Sequence, residues 1–290
     1  MTTFHVVAKD AAAAWITTLK KVFFEGDLVP TEYDQDGWLP SRDATTLIEV
    51  TDPLPEGRRL PPLHPGDLYG VMSVRGGYLA EVLDGTNDQR IWSSETSFPY
   101  TYHDRLFAYR PYNVEDGRVA HRLVRAGPGD GGGNSITCPE LELALSAIEF
   151  PPVDQVDLMI CKLRESPHTR RAQGVTWRPL SDPWRDDCPC LQRVWARVID
   201  GRLHFHAAWR SRDLFKAWGA NVTAMIMVQK RIADALELPL GSYVDYCDSL
   251  HCYGDPKVVR EVVRVFETLE KRGELESRYA PLLVEIQSLV

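Results

Sequence analysis

Apolar residues recur at helical spacing from the start of the chain. Residues 9–25 (KDAAAAWITTLKKVFFE) set Ala13, Trp15, Ile16, Leu19 and Phe23 on one stripe, which predicts an amphipathic helix. A strand is expected over 45–51 (TTLIEVT), preceded by a loop at Pro40-Ser41-Arg42-Asp43. Five prolines over 53–68 read as an extended connector, because proline removes a donor and fixes the backbone. Helices are predicted over 77–84, ending at Gly85, over 154–165, and over 218–236, the most apolar helical stretch. Residues 243–250 read as a strand that leads into His251. The charged tail, 256–289, reads as one or two amphipathic helices broken near Gly273 and Pro281. The glycine-rich stretch 126–134 (AGPGDGGGN) lacks a following Lys-Ser/Thr and reads as a surface loop rather than a phosphate cradle.

One pair of runs carries chemistry. Residues 191–199 (LQRVWARVI) and 202–210 (RLHFHAAWR) alternate roughly and are separated by Asp200-Gly201, a strong hairpin signal. A two-residue turn pairs Ile199 with Arg202, and the register then predicts Cys190 beside Arg210 and Ser211. A neighbouring cation lowers a thiol's pKa, and the thiolate is the nucleophilic form. Arginine also grips phosphate with two parallel hydrogen bonds. A nucleophile beside an anion clamp points to covalent chemistry on a phosphorylated substrate.

The residues around this hairpin resemble the thymidylate synthase family. The matching pieces are Pro189-Cys190, Arg210-Ser211 with Asp213, Asn221, and His251 with Tyr253, together with Arg170-Arg171 and Trp177 upstream. Spacing is kept throughout, closely over 154–253 and loosely elsewhere. The resemblance implies an α/β fold of the α+β type, a mixed sheet with flanking helices in a single catalytic domain over 1–290. It implies a nucleophilic Cys190 that adds to C6 of a pyrimidine nucleoside monophosphate, with 5,10-methylenetetrahydrofolate as one-carbon donor. Arg210 and Ser211 would bind the phosphate. Arg170 and Arg171 would reach it from the partner subunit of a homodimer with shared active sites. His251 and Tyr253 would hold the sugar hydroxyl, Asn221 would read the base, and Asp213 and Trp92 would face the folate. Arg42 is the candidate for the family's early phosphate-binding arginine, although the family's Arg-Thr-Gly-Thr-Gly pattern is absent. Glu81, one turn after Tyr78, is the candidate proton-relay glutamate. Tyr102 resembles the tyrosine of the family's Tyr-Gly-x-x-Trp segment.

Two departures bear on the product. Asp187 stands where the family has an apolar residue, and the tail SRYAPLLVEIQSLV does not resemble the segment that closes over folate. A carboxylate at Asp187 would position water, which favours a 5-hydroxymethyl product. Methylation, or nucleotide binding without turnover, remains the alternative. An asparagine at 221 favours uracil over cytosine, because its amide offers both a donor and an acceptor.

Composition narrows the picture further. The chain has 290 residues and a formal charge of −8, which argues against general nucleic-acid binding. It has no apolar run long enough to span a bilayer, and the first residues (MTTFHVVAKD) lack a basic start and apolar core. Six cysteines in a chain of this length do not make a disulfide scaffold, so a reducing cytoplasm is expected. Neither Cys188 with Cys161 nor His204 with His206 has zinc spacing, so no metal is expected.

Overall fold

The computed structural model describes residues 1–55, 77–91, 100–111, 113–115, 118–120, 151–179, 181–184 and 187–289. Most of the proline-rich connector, the glycine-rich stretch and Trp92 lie outside them. The fold divides into two compact units. Unit 1 comprises Met1–Val71, Ala208–Ile226 and Gly241–Val290; unit 2 comprises Met72–Ala207 and Met227–Leu240.

Unit 1 opens with β1 (Thr3–Ala8), α1 (Ala11–Glu25), β2 (Asp27–Val29) and β3 (Ser41–Val50). Asp10 caps α1 by accepting the Ala13 N–H at 2.9 Å. The apolar stripe of α1 buries Trp15, Leu19, Val22 and Phe23. β1 runs parallel to β3, and β2 is antiparallel to it. β3 starts four residues earlier than its apolar run suggests. Arg42 and Asp43 are therefore strand residues, held by pairing with β2 on one side and β9 (Leu240–Cys252) on the other. The β3–β9 register shifts between Ala44 and Thr46, and the Thr45 hydroxyl meets the Asp248 carbonyl at 2.8 Å there. Such a bulge re-aims the side chains beyond it. The tail forms two helices. They are α6 (Pro256–Lys271) and α7 (Ala280–Gln287). Gly273, at φ 70°, follows α6, whereas Pro281 sits in the first turn of α7. Proline there starts a helix rather than breaking one, because that N–H has no intrahelical partner.

Unit 2 holds α2 (Tyr78–Asp84), α3 (Tyr102–Phe107), the ribbon β4 (Asn113–Glu115) and β5 (Arg118–Ala120), α4 (Gln155–Glu165), β6 (Gln173–Val175) and β7 (Leu191–Ile199). The Asp-Gly turn forms as expected, with Asp200 at φ 51° and Gly201 at φ 69°, the left-handed pair of a tight hairpin. β8 (Arg202–Asp213) and α5 (Trp218–Ala235) each run from one unit into the other. The strand order is β1-β3-β9-β8-β7-β6, with β2 also on β3. At the β6 edge the Gln155 amide accepts the Val175 N–H at 3.0 Å and donates to its carbonyl at 2.7 Å, which stops the ladder.

Candidate active site

In unit 1, the site residues hang on a break in strand alternation. Along β8 residues 203, 205, 207 and 209 are buried; Arg210 and Ser211 are both half-buried, and burial resumes at Arg212. A one-residue slip of this kind sets two consecutive side chains outside the core. Arg212 anchors the slip. Its guanidinium lies 4.3 Å above the Trp209 ring and 5.9 Å from the Trp218 ring. It forms a buried ion pair with Asp245, which also accepts the Tyr243 hydroxyl at 2.7 Å. With Arg212 locked inward, Ser211 and Asp213 alternate to the other side.

Asp213 uses one carboxylate oxygen, Oδ1, for the N–H groups of Phe215 and Lys216, both at 2.8 Å. Burial pushes its pKa up, against those bonds and the nearby charge of His251. The His251 backbone carbonyl accepts the Leu214 N–H at 2.8 Å, which ties β9 to the segment after Asp213. The His251 and Tyr253 rings meet edge to face at 4.6 Å, so these two are brought together as their i, i+2 spacing predicts. His251 Nε2 is buried and takes no hydrogen bond from the described residues; a buried ring nitrogen in that state is poised for a ligand group or water. Asn221 is buried in the first turn of α5.

Arg42 is placed differently. It pairs with Cys252, one residue from His251, so strand alternation sends the two side chains to opposite faces. Its guanidinium sits 5.3 Å from the Phe23 ring, and burial lowers its pKa while Cys252 and Glu285 oppose that.

In unit 2, Cys190 is half-buried at the residue before β7. The next residue, Leu191, donates its N–H to the Tyr102 hydroxyl at 3.3 Å. Burial first, then Tyr100, Tyr78 and Cys190, raise the Tyr102 pKa well above that of a free tyrosine. The Cys190 thiol therefore lies in a corner that includes a neutral phenol. Tyr78 opens the helix that carries Glu81. Burial also raises the Glu81 pKa, while the Asn87 amide donates to its carboxyl at 2.7 Å and opposes the shift. Arg170 and Arg171 are exposed ahead of β6, and the Arg170 carbonyl accepts the Trp195 indole N–H at 3.0 Å. Asp187 is exposed. His206 packs edge-on against Trp195 at 4.9 Å, and no cluster of three metal-ligating side chains occurs among the described residues.

Sequence reasoning missed the polar support of this corner. Arg105 is wholly buried; it forms two hydrogen bonds to Asp182, at 2.7 and 2.8 Å, and donates to the Thr176 carbonyl at 2.8 Å. Arg178 reaches Asp104 at 2.8 Å, and its own backbone N–H goes to Asp182 at 2.6 Å. Asn87 was also missed, and only its place in the turn after Gly85 hints at a role.

The thymidylate synthase family profile matches residues 136–278. A candidate thymidylate synthase of Methanothermobacter marburgensis is 25% identical over 271 residues, covering 90% of this chain and 98% of that protein. One of Methanocaldococcus jannaschii is 26% identical, covering 84% and 88%. The deoxyuridylate hydroxymethyltransferase of Bacillus phage SP01 is 28% identical over 148 residues, covering 49% of this chain and 37% of the phage protein. Among solved structures, the thermostable thymidylate synthase A of Bacillus subtilis shares the fold, with a TM-score of 0.52 at 16% identity over 87% of this chain and 83% of that one. No described helix is long and apolar enough to cross a membrane. With Cys190, Arg210-Ser211, Asn221 and His251 all inside the matched segment, the chain belongs to the thymidylate synthase family, enzymes that transfer a folate-borne one-carbon unit to C5 of a pyrimidine nucleotide.

Proposed function

We propose that this protein hydroxymethylates C5 of a pyrimidine nucleoside monophosphate, with uracil as the preferred base, and that Cys190 is its nucleophile. The placement of Cys190 carries the reading: a half-buried thiol opening β7, with Tyr102 hydrogen-bonded to the following amide and an exposed carboxylate, Asp187, three residues before it. The Cys190 thiolate adds to C6, forming a carbon–sulfur bond and moving the electron pair to C5. C5 would then bond to the one-carbon unit, and loss of the C5 proton, with Glu81 as the proton-relay group, would break the unit's carbon–nitrogen bond, release tetrahydrofolate and leave an exocyclic methylene. Asp187 orders the water that adds to the exocyclic carbon, and expulsion of the Cys190 thiolate restores the ring.

Arg210 and Ser211 bind the phosphate, and the sugar hydroxyl meets His251 and Tyr253. The open Nε2 of His251 supports that contact. The residues present fit a folate: Asp213 spends one oxygen on two backbone N–H groups, and the carboxylate suits the N–H edge of a pterin. When bound, methylenetetrahydrofolate supplies carbon at the oxidation level of formaldehyde. The five described cysteines form no disulfide with one another, and a reducing cytoplasm keeps Cys190 a thiol.

The test is product mass. The protein is incubated with tetrahydrofolate, formaldehyde and each of dUMP, dCMP, UMP and CMP, and products are read by mass spectrometry. A 5-hydroxymethyl nucleotide without dihydrofolate is expected. A methylated product with dihydrofolate would replace this reading by thymidylate synthesis, which the full-length similarity to the archaeal candidate synthases favours.

The same reading includes a homodimer. His5, Leu47 and Tyr246 pair side by side across β1, β3 and β9, and with Val7 they leave an exposed row on unit 1 (Leu47 39%, Tyr246 38%, Val7 57% exposed). Apolar side chains along one sheet face suit a self-complementary twofold contact. Arg170 and Arg171, both exposed, are then donated across it. Mixing inactive Cys190→Ala with inactive Arg170→Ala/Arg171→Ala subunits should restore up to about a quarter of the activity, because random pairing makes about half the dimers heterodimers and each of these keeps one intact site of two. No recovery after confirmed subunit exchange would remove the shared site.

A further inference from the structure

The turn after α2 is tied to two places at once. Gly85 takes the left-handed conformation, φ 66°, and closes α2 by donating its N–H to the Glu81 carbonyl at 3.2 Å. Asn87, two residues on, folds back and donates its amide to the Glu81 carboxyl at 2.7 Å. Asp88 points the other way. One oxygen accepts the Thr101 hydroxyl at 2.5 Å, and the other lies 2.7 Å from His103 Nδ1. An ionised carboxylate only accepts, so Nδ1 carries the hydrogen in that contact. Thr101 also caps α3, taking the Asp104 N–H at 3.0 Å. The clasp thus joins the turn beside Glu81 to the start of the helix that opens with Tyr102, whose hydroxyl meets the amide after Cys190. It has no spare room: a Cβ at Gly85 would come within 2.5 Å of His103 Nδ1 and 2.9 Å of an Asp88 oxygen.

We propose that Asn87 and Asp88 are positioning residues for Glu81: Asn87 orients its carboxyl, and Asp88, anchored by Thr101 and His103, holds the turn that presents Asn87 and sets a second carboxylate in that turn. This rests on the reading of Glu81 as the proton-relay group. Among the described residues, four influences bear on Glu81. Burial is the largest influence and favours the protonated form. The Asn87 bond favours the carboxylate, the Asp88 charge favours the proton, and Arg90 favours the carboxylate. From α3, His103 reaches the cluster through Asp88, and from α5 the Arg231 guanidinium meets the Leu83 carbonyl at 3.3 Å. Asn87 and Asp88 therefore push the Glu81 proton in opposite directions.

The experiment is the pH profile of deuterium release from C5 of deuterated dUMP by the full-length protein. Glu81→Gln serves as the reference, and the limb it abolishes is the Glu81 limb. Asp88→Asn keeps shape and removes the like charge, so the limb should move to lower pH by about one unit. Asn87→Ala removes a donor to the carboxylate, so the limb should move to higher pH by about half a unit. Asn87→Ala leaves both Asp88 anchors in place, so the test stands even where Asp88→Asn fails to fold. Opposite shifts support the clasp. A Glu81-dependent limb that neither variant moves, or that both move in one direction, overturns it. A limb that survives Glu81→Gln instead removes the relay role assigned to Glu81.

Discussion

In unit 1 a single guanidinium, Arg212, faces a single carboxylate, Asp245; in unit 2 two guanidinium groups, Arg105 and Arg178, face two carboxylates, Asp182 and Asp104. All are buried. Burial, the largest single influence, pulls the Arg212 pKa down, yet Asp245, Cys247 and Tyr243 together outweigh it and Arg212 ends above its ordinary value. In unit 2 burial and the second guanidinium act together, and Arg178 falls to about 10, still charged at neutral pH. A lone pair holds its charge tightly but has no reserve. In the crowded quartet Arg178 and Asp104 hold their charges less tightly, but a second ion pair stands beside them. The arrangement matters to the site, because each system braces one set of functional residues. Arg212 locks the slip that turns Ser211 and Asp213 outward. The quartet stitches α3, which opens with Tyr102, to Thr176, Arg178 and Asp182, ahead of Cys190.

The sharpest way to break the comparison is to remove one arginine from each. Arg212→Met leaves Asp245 buried with, among the described residues, the Tyr243 hydroxyl alone, and should lower unfolding stability by about 3–5 kcal/mol, the cost of an uncompensated buried charge. Urea denaturation reads it directly. Arg178→Met should be milder, about 1–3 kcal/mol. Asp104 keeps Arg105 at 3.9 Å, and its own pKa is already raised, by burial first, so it takes up a proton more readily. Equal losses in the two variants would mean the quartet has no reserve and the contrast is wrong.

These systems also show what could be read from the chain and what could not. The Asp200-Gly201 hairpin was legible because both residues tolerate positive φ, and the turn geometry is local. The α1 stripe and the Tyr78–Asp84 helix with its Gly85 cap were legible for the same reason. The placement of Arg42 was not. Pro40-Ser41-Arg42-Asp43 has the composition of a turn, and only pairing with Leu28 and Cys252 makes Arg42 a strand residue. Nor was either arginine system legible. Arg212 and Asp245 lie 33 residues apart, and Arg105 and Asp182 lie 77 apart, so no local pattern marks them as partners. The site residues themselves stood out because they keep family spacing, whereas their supports follow no motif.

A third change probes the Asp200-Gly201 hairpin turn of unit 2. Gly201→Ala meets no atom within 4 Å, so its cost is conformational alone: an alanine at φ 69°. About 1–2 kcal/mol of stability should be lost, without a change in the Arg212 or Arg178 effects. A strong coupling in a double-mutant cycle with Arg212→Met would show that the hairpin and the slip at Arg210-Ser211 form one unit rather than two.

The smallest effect is expected at Asp213, the carboxylate that Arg212 turns outward, and its pH dependence gives the sign. Burial raises the Asp213 pKa above that of an aspartate in the unfolded chain. The folded protein therefore holds that proton more tightly than the unfolded one. Stability falls as pH rises from the unfolded value to the folded value, and above it the penalty is complete. Asp213→Asn removes the charge yet keeps a carbonyl oxygen for the Phe215 and Lys216 N–H groups. At neutral pH the variant should match or exceed the wild type in stability by under about 1 kcal/mol. The gain should shrink to nothing as pH falls through the folded Asp213 pKa and below, where the wild type is protonated too. Activity should fall at the same time, because an amide presents a donor where the carboxylate offered only acceptors. A variant that is less stable at neutral pH than in acid, relative to wild type, would mean that Asp213 is charged for structural reasons, and that its burial is compensated by Lys216 and His251 rather than left open for a ligand.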